Sequence, residues 1–224
     1  MSNEVTLFIT SCGRPHLLKQ TLESFMKFNT YPIKEAIICE DSGNINSIDF
    51  VKNILSFPCN IIYNEKRIGQ MRSIENGVKY ITTPYVFHCE DDWEFYCPSF
   101  IELSMEILQK NDRVSQVLLR SYDEYINRYN FKIHNTNEIY KTITLSTFQQ
   151  IYSFNPSLKK LNIQLLNIPY QDWDDEFTIQ TKINELNLFA VVTNNVNGFV
   201  RHIGWNNHIH ESPDIKYRNQ FPGK

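Results

Sequence analysis

The chain has no apolar run approaching the roughly 20 residues that span a bilayer, and its start, Met-Ser-Asn-Glu-Val, lacks a basic stretch followed by an apolar one. Neither a transmembrane segment nor a secretory leader is expected. Charge of one sign is scarce as well: 22 basic and 25 acidic residues are interspersed and leave a net charge of -3. That excludes the basic face that polymeric nucleic acid or an anionic lipid surface would select. The five cysteines, at 12, 39, 59, 89 and 97, are odd in number and form no C-x-x-C pair. They read as reduced, mostly buried thiols, which argues against a disulfide framework and a structural zinc site. Asn155 is followed by Pro156, so no usable glycosylation sequon remains, and a cytoplasmic location is expected. Internal repeats, linkers and low-complexity segments are absent too.

What is present is enough apolar material, 42% of 224 residues, to bury one sizeable core, and a single domain over 1–224 is expected. The first 120 residues alternate strand-like and helix-like runs. Val5 to Thr10 is apolar and ends in the turn-forming Ser11-Cys12-Gly13; Pro15 suits a first helical turn, and Leu18, Leu22, Phe25 and Met26 then repeat at helical spacing. The unit recurs as Ala36 to Cys39 with Ile48 to Leu55, as Asn60 to Tyr63 with Met71, Ile74, Val78 and Ile81, and as Tyr85 to Cys89 with Pro98 to Leu108. This alternation predicts an α/β fold: a mainly parallel sheet, helices on both faces, ligands bound beyond the carboxyl ends of the strands. Beyond a strand at Val114 to Leu119, the pattern predicts irregular or short antiparallel structure over Tyr122 to Lys141 and a short helix over Ser146 to Phe154. It predicts a helix over Asp174 to Leu186 capped by Asp172, and strands over Leu188 to Thr193 and Gly198 to Ile203.

The stretch F-H-C-E-D-D-W-E-F, Phe87 to Phe95, delivers three acids at the end of an apolar strand. Crowded carboxylates repel, so such a cluster needs positive charge, and oxygen ligands from Glu90, Asp91 and Asp92 suit Mg²⁺ or Mn²⁺ holding a di- or triphosphate. A solvated acidic turn is the plain alternative. Arg72, in G-Q-M-R-S-I-E-N-G, would face the same rim from a helix start, where its guanidinium could grip a phosphate or pair with Glu75; Lys66 and Arg67 lie nearby.

The order T-S-C-G-R-P, E-D-S-G and E-D-D-W-E-F-Y-C-P resembles that of the A-type (GT-A) nucleotide-sugar glycosyltransferases, family 2 in particular, with similarity to the N-acetylglucosaminyltransferase I type. The resemblance implies a GT-A fold with a small antiparallel part, residues 1–120 forming a nucleotide-binding half and 121–224 an acceptor and catalytic half. It implies Mn²⁺ or Mg²⁺ as cofactor, a nucleotide-sugar donor such as a UDP-sugar, and a glycan, protein or small-molecule acceptor. By the same resemblance Asp92 binds the metal directly, and Glu90 and Asp91 act through water or hold the ribose. Arg14 touches the nucleotide, and Asp41 accepts the imide N–H of uracil, although Asp41 would equally cap the Ser42-Gly43 turn. Asp175, then Asp174, with Asp172 a further choice, stand in Q-D-W-D-D-E-F where an inverting enzyme keeps its general base; acids also cap helices, so a structural role fits the same spacing. His202, with His208 and His210 behind it, matches a late histidine that completes a metal shell, or a structural hydrogen-bonder. A sugar-phosphate nucleotidyltransferase is disfavoured by the single glycine of S-C-G-R-P; a non-catalytic module of the same fold is the other alternative.

Overall fold

The computed structural model describes residues 2–145, 149–171 and 174–205. Val5–Ser11 (β1) is wholly buried, because its seven residues lie between two neighbouring strands and under helices on both faces. Pro15–Phe28 (α1) follows it, then Glu35–Glu40 (β2), Cys59–Tyr63 (β3), Gln70–Val78 (α2) and Tyr85–Glu90 (β4). The four strands pair in parallel in the order β3-β2-β1-β4, with Thr10 opposite both Cys39 and Glu90. The carboxyl ends of β1, β2 and β4 therefore share one rim.

Trp93–Phe95 (β5), Phe100–Lys110 (α3) and Val114–Leu118 (β6) come next, then Lys132–Asn135 (β7), Tyr140–Thr144 (β8), Ser157–Lys160 (β9), Leu161–Gln164 (α4), Glu176–Glu185 (α5), Phe189–Thr193 (β10) and Val200–His202 (β11). The main sheet runs β3-β2-β1-β4-β9-β6-β10-β8-β7, and of its described strands only β9 and β8 oppose the common direction. A mostly parallel α/β sheet results, beside a small antiparallel pair, β5 with β11. One face is packed by α1 and α3, whose Phe25 and Phe100 meet Phe87 and Phe95 at ring separations of 5.0 to 5.7 Å. The other face receives α2 and α5 through Ile74, Ile179 and Ile183 against Phe8, Ile37 and Val86. Gly77 lets α2 lie close there, since a Cβ would sit 2.4 Å from Phe8 and from Cys39 Sγ.

Two sequence expectations are corrected, and one strand is added. Ile48 to Leu55 forms only a 3₁₀ turn, Asp49–Asn53, because burying Ile48 and Val51 three residues apart needs a single turn before the chain enters β3. No helix occupies 149–154; Gln150 instead makes a bridge to Thr144, and 146–148 lie outside the described residues. β9 was unforeseen, because Ser157-Leu158-Lys159-Lys160 has two lysines where a central strand is usually apolar. Lys159 is nonetheless fully buried, its Nζ 3.3 Å from Tyr152 Oη and from the Ser153 carbonyl. Burial pushes its pKa down to about 7, against the pull of Glu176 and Glu90.

Candidate functional site

The rim is organised around the three acids that follow β4. Asp91 is fully buried and saturated: Oδ2 accepts from Ser11 Oγ at 3.0 Å, from the Cys12 N–H at 3.3 Å and from Arg14 Nε at 3.3 Å, while Oδ1 pairs with Arg14 Nη2. Thr21 of α1 fixes the turn by donating to the Asp91 carbonyl at 2.8 Å and accepting from the Trp93 N–H at 2.9 Å. Burial raises Asp91 to about pKa 6, opposed chiefly by Arg14.

Asp92 differs. Its Oδ2 accepts from Arg14 Nη1 at 2.7 Å and lies 3.2 Å from His202 Nε2, whereas its buried Oδ1 has no hydrogen-bond partner among the described residues. Burial alone would raise its pKa; His202 and Arg14 outweigh that and hold it below the usual carboxylate value. His202 arrives because β11 pairs with β5, setting His202 opposite Trp93, and the Ile203 N–H then donates to the Asp92 carbonyl at 2.9 Å. Gly204 completes the closure, since a Cβ there would stand 2.2 Å from Asp92 Oδ2.

Glu90 accepts from Gln70 Nε2 at 3.0 Å and from Trp93 Nε1 at 3.3 Å. Its pKa is pushed up to about 7 by burial, then by Asp92 and Glu176. The influence of Glu176 puts the start of α5 within electrostatic range of the acid cluster. Trp93 is itself fully buried, with the Arg120 guanidinium 4.4 Å from its ring centre. Arg120 also donates to Tyr129 Oη at 2.8 Å and pairs with Glu124 and Asn155.

Asp41 occupies the rim beside this cluster with both oxygens engaged internally: Oδ1 accepts from Asn64 Nδ2 at 2.8 Å and the Ile68 N–H at 2.9 Å, and Oδ2 from the Gly69 N–H at 2.8 Å. The contacts are those of a loop clamp. Its neighbour Glu40 accepts from the Gly13 and Ser42 N–H groups at 2.8 and 2.9 Å, with Oε2 buried and without a partner among the described residues. Arg72 pairs with Glu75 at 2.9 Å, the alternative that its sequence allowed. Arg67 bears electrostatically on Cys12, whose pKa burial nevertheless raises to about 11.

The second acid cluster opens α5. Asp175, not Asp172, caps this helix: Oδ1 accepts from the Thr178 N–H at 3.0 Å, and Thr178 Oγ1 reaches back to the Asp175 N–H at 3.4 Å. The cap falls there because a side-chain acceptor followed three residues later by a hydroxyl satisfies two orphan N–H groups at once. Asp174 is buried and accepts from Asn167 Nδ2 at 2.9 Å and the Gln171 N–H at 2.8 Å. Glu176 accepts from the Phe154 N–H at 2.6 Å and Ser153 Oγ at 3.1 Å. Asp172, His208 and His210 lie outside the described residues. Sequence reasoning missed Thr21, Gln70, Arg120, Lys159 and Gly204 as parts of the site. Only Gly204, in H-I-G-W, carried a local signal, a glycine just past a strand end.

Among the described residues, no three His, Cys, Asp or Glu side chains converge on one metal position. Asp92 and His202 supply two adjacent donors and a buried carboxylate oxygen without a partner. That set fits an ion whose remaining ligands are phosphate oxygens and water, the usual arrangement for small divalent cations. No helix of the described residues is long and apolar enough to cross a membrane.

Comparison with curated protein sequences gives no match. Among solved structures, the mannosyltransferase PcManGT from Pyrobaculum calidifontis, in complex with GDP-Man and Mn²⁺, is similar with a TM-score of 0.63 at 13% identity. The match covers 86% of this chain and 55% of that one. TarS (residues 1-349) from S. aureus gives 0.60 at 12% identity, covering 88% and 59%. The chain thus spans little more than half of each neighbour, and at these identities the likeness is one of fold, which is GT-A. The model of glycosyl transferase family 2 matches residues 6–165, from β1 through α4, taking in the whole Glu90-Asp91-Asp92 rim, and the chain belongs to that family.

Proposed function

We propose that the protein transfers a sugar from a nucleoside diphosphate donor, a UDP-sugar first among candidates, to an acceptor hydroxyl with inversion. The observation that carries this reading is the Asp92 carboxylate: buried, flanked by Arg14 and His202, with one oxygen unspent at the carboxyl end of a parallel sheet. Asp92 and His202 would hold Mn²⁺ or Mg²⁺, which when bound supplies Lewis-acid neutralisation of the departing diphosphate. Glu90 and Asp91 stiffen the cluster from behind, while Asp41 and Asn64 shape the loop on which the base would rest. Arg14 and Arg72 are the basic groups offered to the phosphates; for Arg72 that means leaving Glu75. Asp175 is the proposed base, Asp174 the second choice. Asp175 Oδ2 makes no hydrogen bond among the described residues, and it can take the acceptor proton while Oδ1 remains the helix cap. The sequence E-D-D-W-E-F-Y-C-P keeps an N-acetylhexosaminyl donor in view beside hexosyl ones, and the fold neighbour solved with GDP-Man and Mn²⁺ adds GDP-mannose. We place the reaction in the cytoplasm, carried out by one domain.

Thermal shift with UDP- and GDP-sugars, with and without Mn²⁺, tests the reading. A selective rise in melting temperature that needs the metal and disappears in Asp92→Asn supports it; no donor-dependent shift in the presence of Mn²⁺ sinks it. A second reading, a donor-binding module without catalysis, is favoured by one observation, the engagement of Asp174 and Asp175 in local hydrogen bonds. Release of free sugar from a bound donor, absent in Asp175→Asn, rejects it.

A further inference from the structure

Arg14 stands where positive charge is wanted before any metal arrives. It follows Gly13 just beyond β1, its side chain is only 16% exposed, and its fork spans both acids, Asp91 through Nε and Nη2 and Asp92 through Nη1 at 2.7 Å. Asp91 is further held by the Ser11 hydroxyl and the Cys12 N–H, so its geometry is fixed without Arg14. Asp92 has no such anchor on its Oδ1, which is buried and unpartnered among the described residues. A dication on Asp92 would share one carboxylate with the guanidinium, and like charges a few ångströms apart in a poorly hydrated rim repel strongly. The two cations become compatible only when further anionic oxygens arrive. A donor diphosphate supplies them, and a guanidinium has the planar fork to engage two at once.

Building on the proposed metal-dependent reading, we propose that Arg14 makes metal binding conditional on the donor. In the free protein its guanidinium is the counter-ion of Asp91 and Asp92 and weakens capture of a bare divalent ion. When a nucleoside diphosphate enters, the Nη1 end of the fork turns from Asp92 to phosphate oxygen, and Asp92 becomes available to the ion. Arg14 is thus a positioning residue that couples two ligands, and by reciprocity the ion must tighten diphosphate binding by the same factor.

The test measures bound Mn²⁺ by electron paramagnetic resonance for the wild type, Arg14→Gln and Asp92→Asn, each with MnCl₂ alone and with UDP or GDP. The expected result is at least tenfold tighter binding of Mn²⁺ alone to Arg14→Gln than to wild type, with a smaller gain on adding diphosphate. Binding that is lost in Asp92→Asn yet equal in wild type and Arg14→Gln overturns the coupling and leaves the functional reading intact. Mn²⁺ binding insensitive to Asp92→Asn with either diphosphate overturns both. A second measurement needs no variant: the Arg14 Nε–H resonance should move when UDP or GDP is added with Mg²⁺ and hold still with Mg²⁺ alone. A resonance unmoved by both additions also rejects the coupling.

Discussion

Two acid triplets of the same composition, Glu90-Asp91-Asp92 and Asp174-Asp175-Glu176, meet opposite fates. The first sits at the end of a buried strand, faces a guanidinium and an imidazole, and leaves one Asp92 oxygen without a partner among the described residues. The second sits at a helix start and turns mainly to local N–H and amide groups: the cap to Thr178, the contacts of Asp174 to Asn167 and Gln171, and those of Glu176 to residues 153 and 154. Carboxylates satisfied by local N–H groups stabilise a fold; a carboxylate left partly unsatisfied among charged neighbours is prepared for a ligand. The contrast predicts that the first triplet governs binding and the second governs turnover and local stability.

The largest effect should come from Asp92→Asn, which removes the charge while keeping the shape. Donor at a hundred times its Kd stabilises by about 2.7 kcal/mol, and this metal-dependent increment should vanish in the variant, as read by thermal unfolding with and without Mn²⁺. If it persists, the two triplets are not divided as proposed. Asp175→Asn should leave that increment intact and slow turnover roughly a hundredfold, because Asn still caps a helix. Asp175→Ala should lose turnover equally and in addition about 1 kcal/mol of stability from the missing cap, measured by urea unfolding. Full activity in Asp175→Asn would move the base to another residue.

Gly204→Ala sharpens the comparison from the other side. A Cβ 2.2 Å from Asp92 Oδ2 must displace that carboxylate, and Mn²⁺ affinity should drop about 10- to 100-fold, with titration calorimetry as the readout.

A further effect, independent of any ligand, is one of pH. Glu90 has a folded pKa of about 7 against an ordinary 4.5, so the folded chain holds a proton that the unfolded chain gives up; this contribution is present at low pH and lost as pH rises through 7. Lys159 has a folded pKa of about 7 against 10.5, so its contribution is present at high pH and lost as pH falls through the interval towards 7. Stability should therefore pass through a minimum near neutrality. Lys159→Met should flatten the alkaline limb, whose slope is at most about 1.4 kcal/mol per pH unit for one proton, and leave the acid limb in place. Urea unfolding across the range checks this, and an unchanged alkaline limb would show that Lys159 is charged in the folded chain.

The strands β1 to β4 and the helices α1 and α2 were legible because both strand and helix periods are local properties of the chain, and Pro15, Leu18 and Leu22 fall where α1 needs them. The acid rim was legible for the same reason. The reading faltered where a residue's neighbours come from far along the chain. A buried lysine in β9 contradicts the apolar rule for a central strand, yet Tyr152, Ser153 and nearby acids accommodate it. The cap of α5 belonged to Asp175 rather than Asp172, since several acids in a row offer equivalent caps and only packing sets where the first turn begins. Arg14 meets Asp91 and Asp92, pairings across 77 and 78 positions that chain order does not show.

Side-chain polarity and backbone periodicity act over a few residues, so the sequence on its own carried the strands β1 to β4, the helices α1 and α2 and the positions of the carboxylates; the helix expected at Ile48 to Leu55 did not form. The tertiary structure alone decided which carboxylate is spent and which is ready. β11 returns to β5, with Arg201 pairing to Glu94 107 residues earlier, and this long-range closure places His202 and Gly204 on Asp92. A carboxylate's chemistry is set by the charges and N–H groups that surround it in space, and chain order does not specify those until the fold has closed.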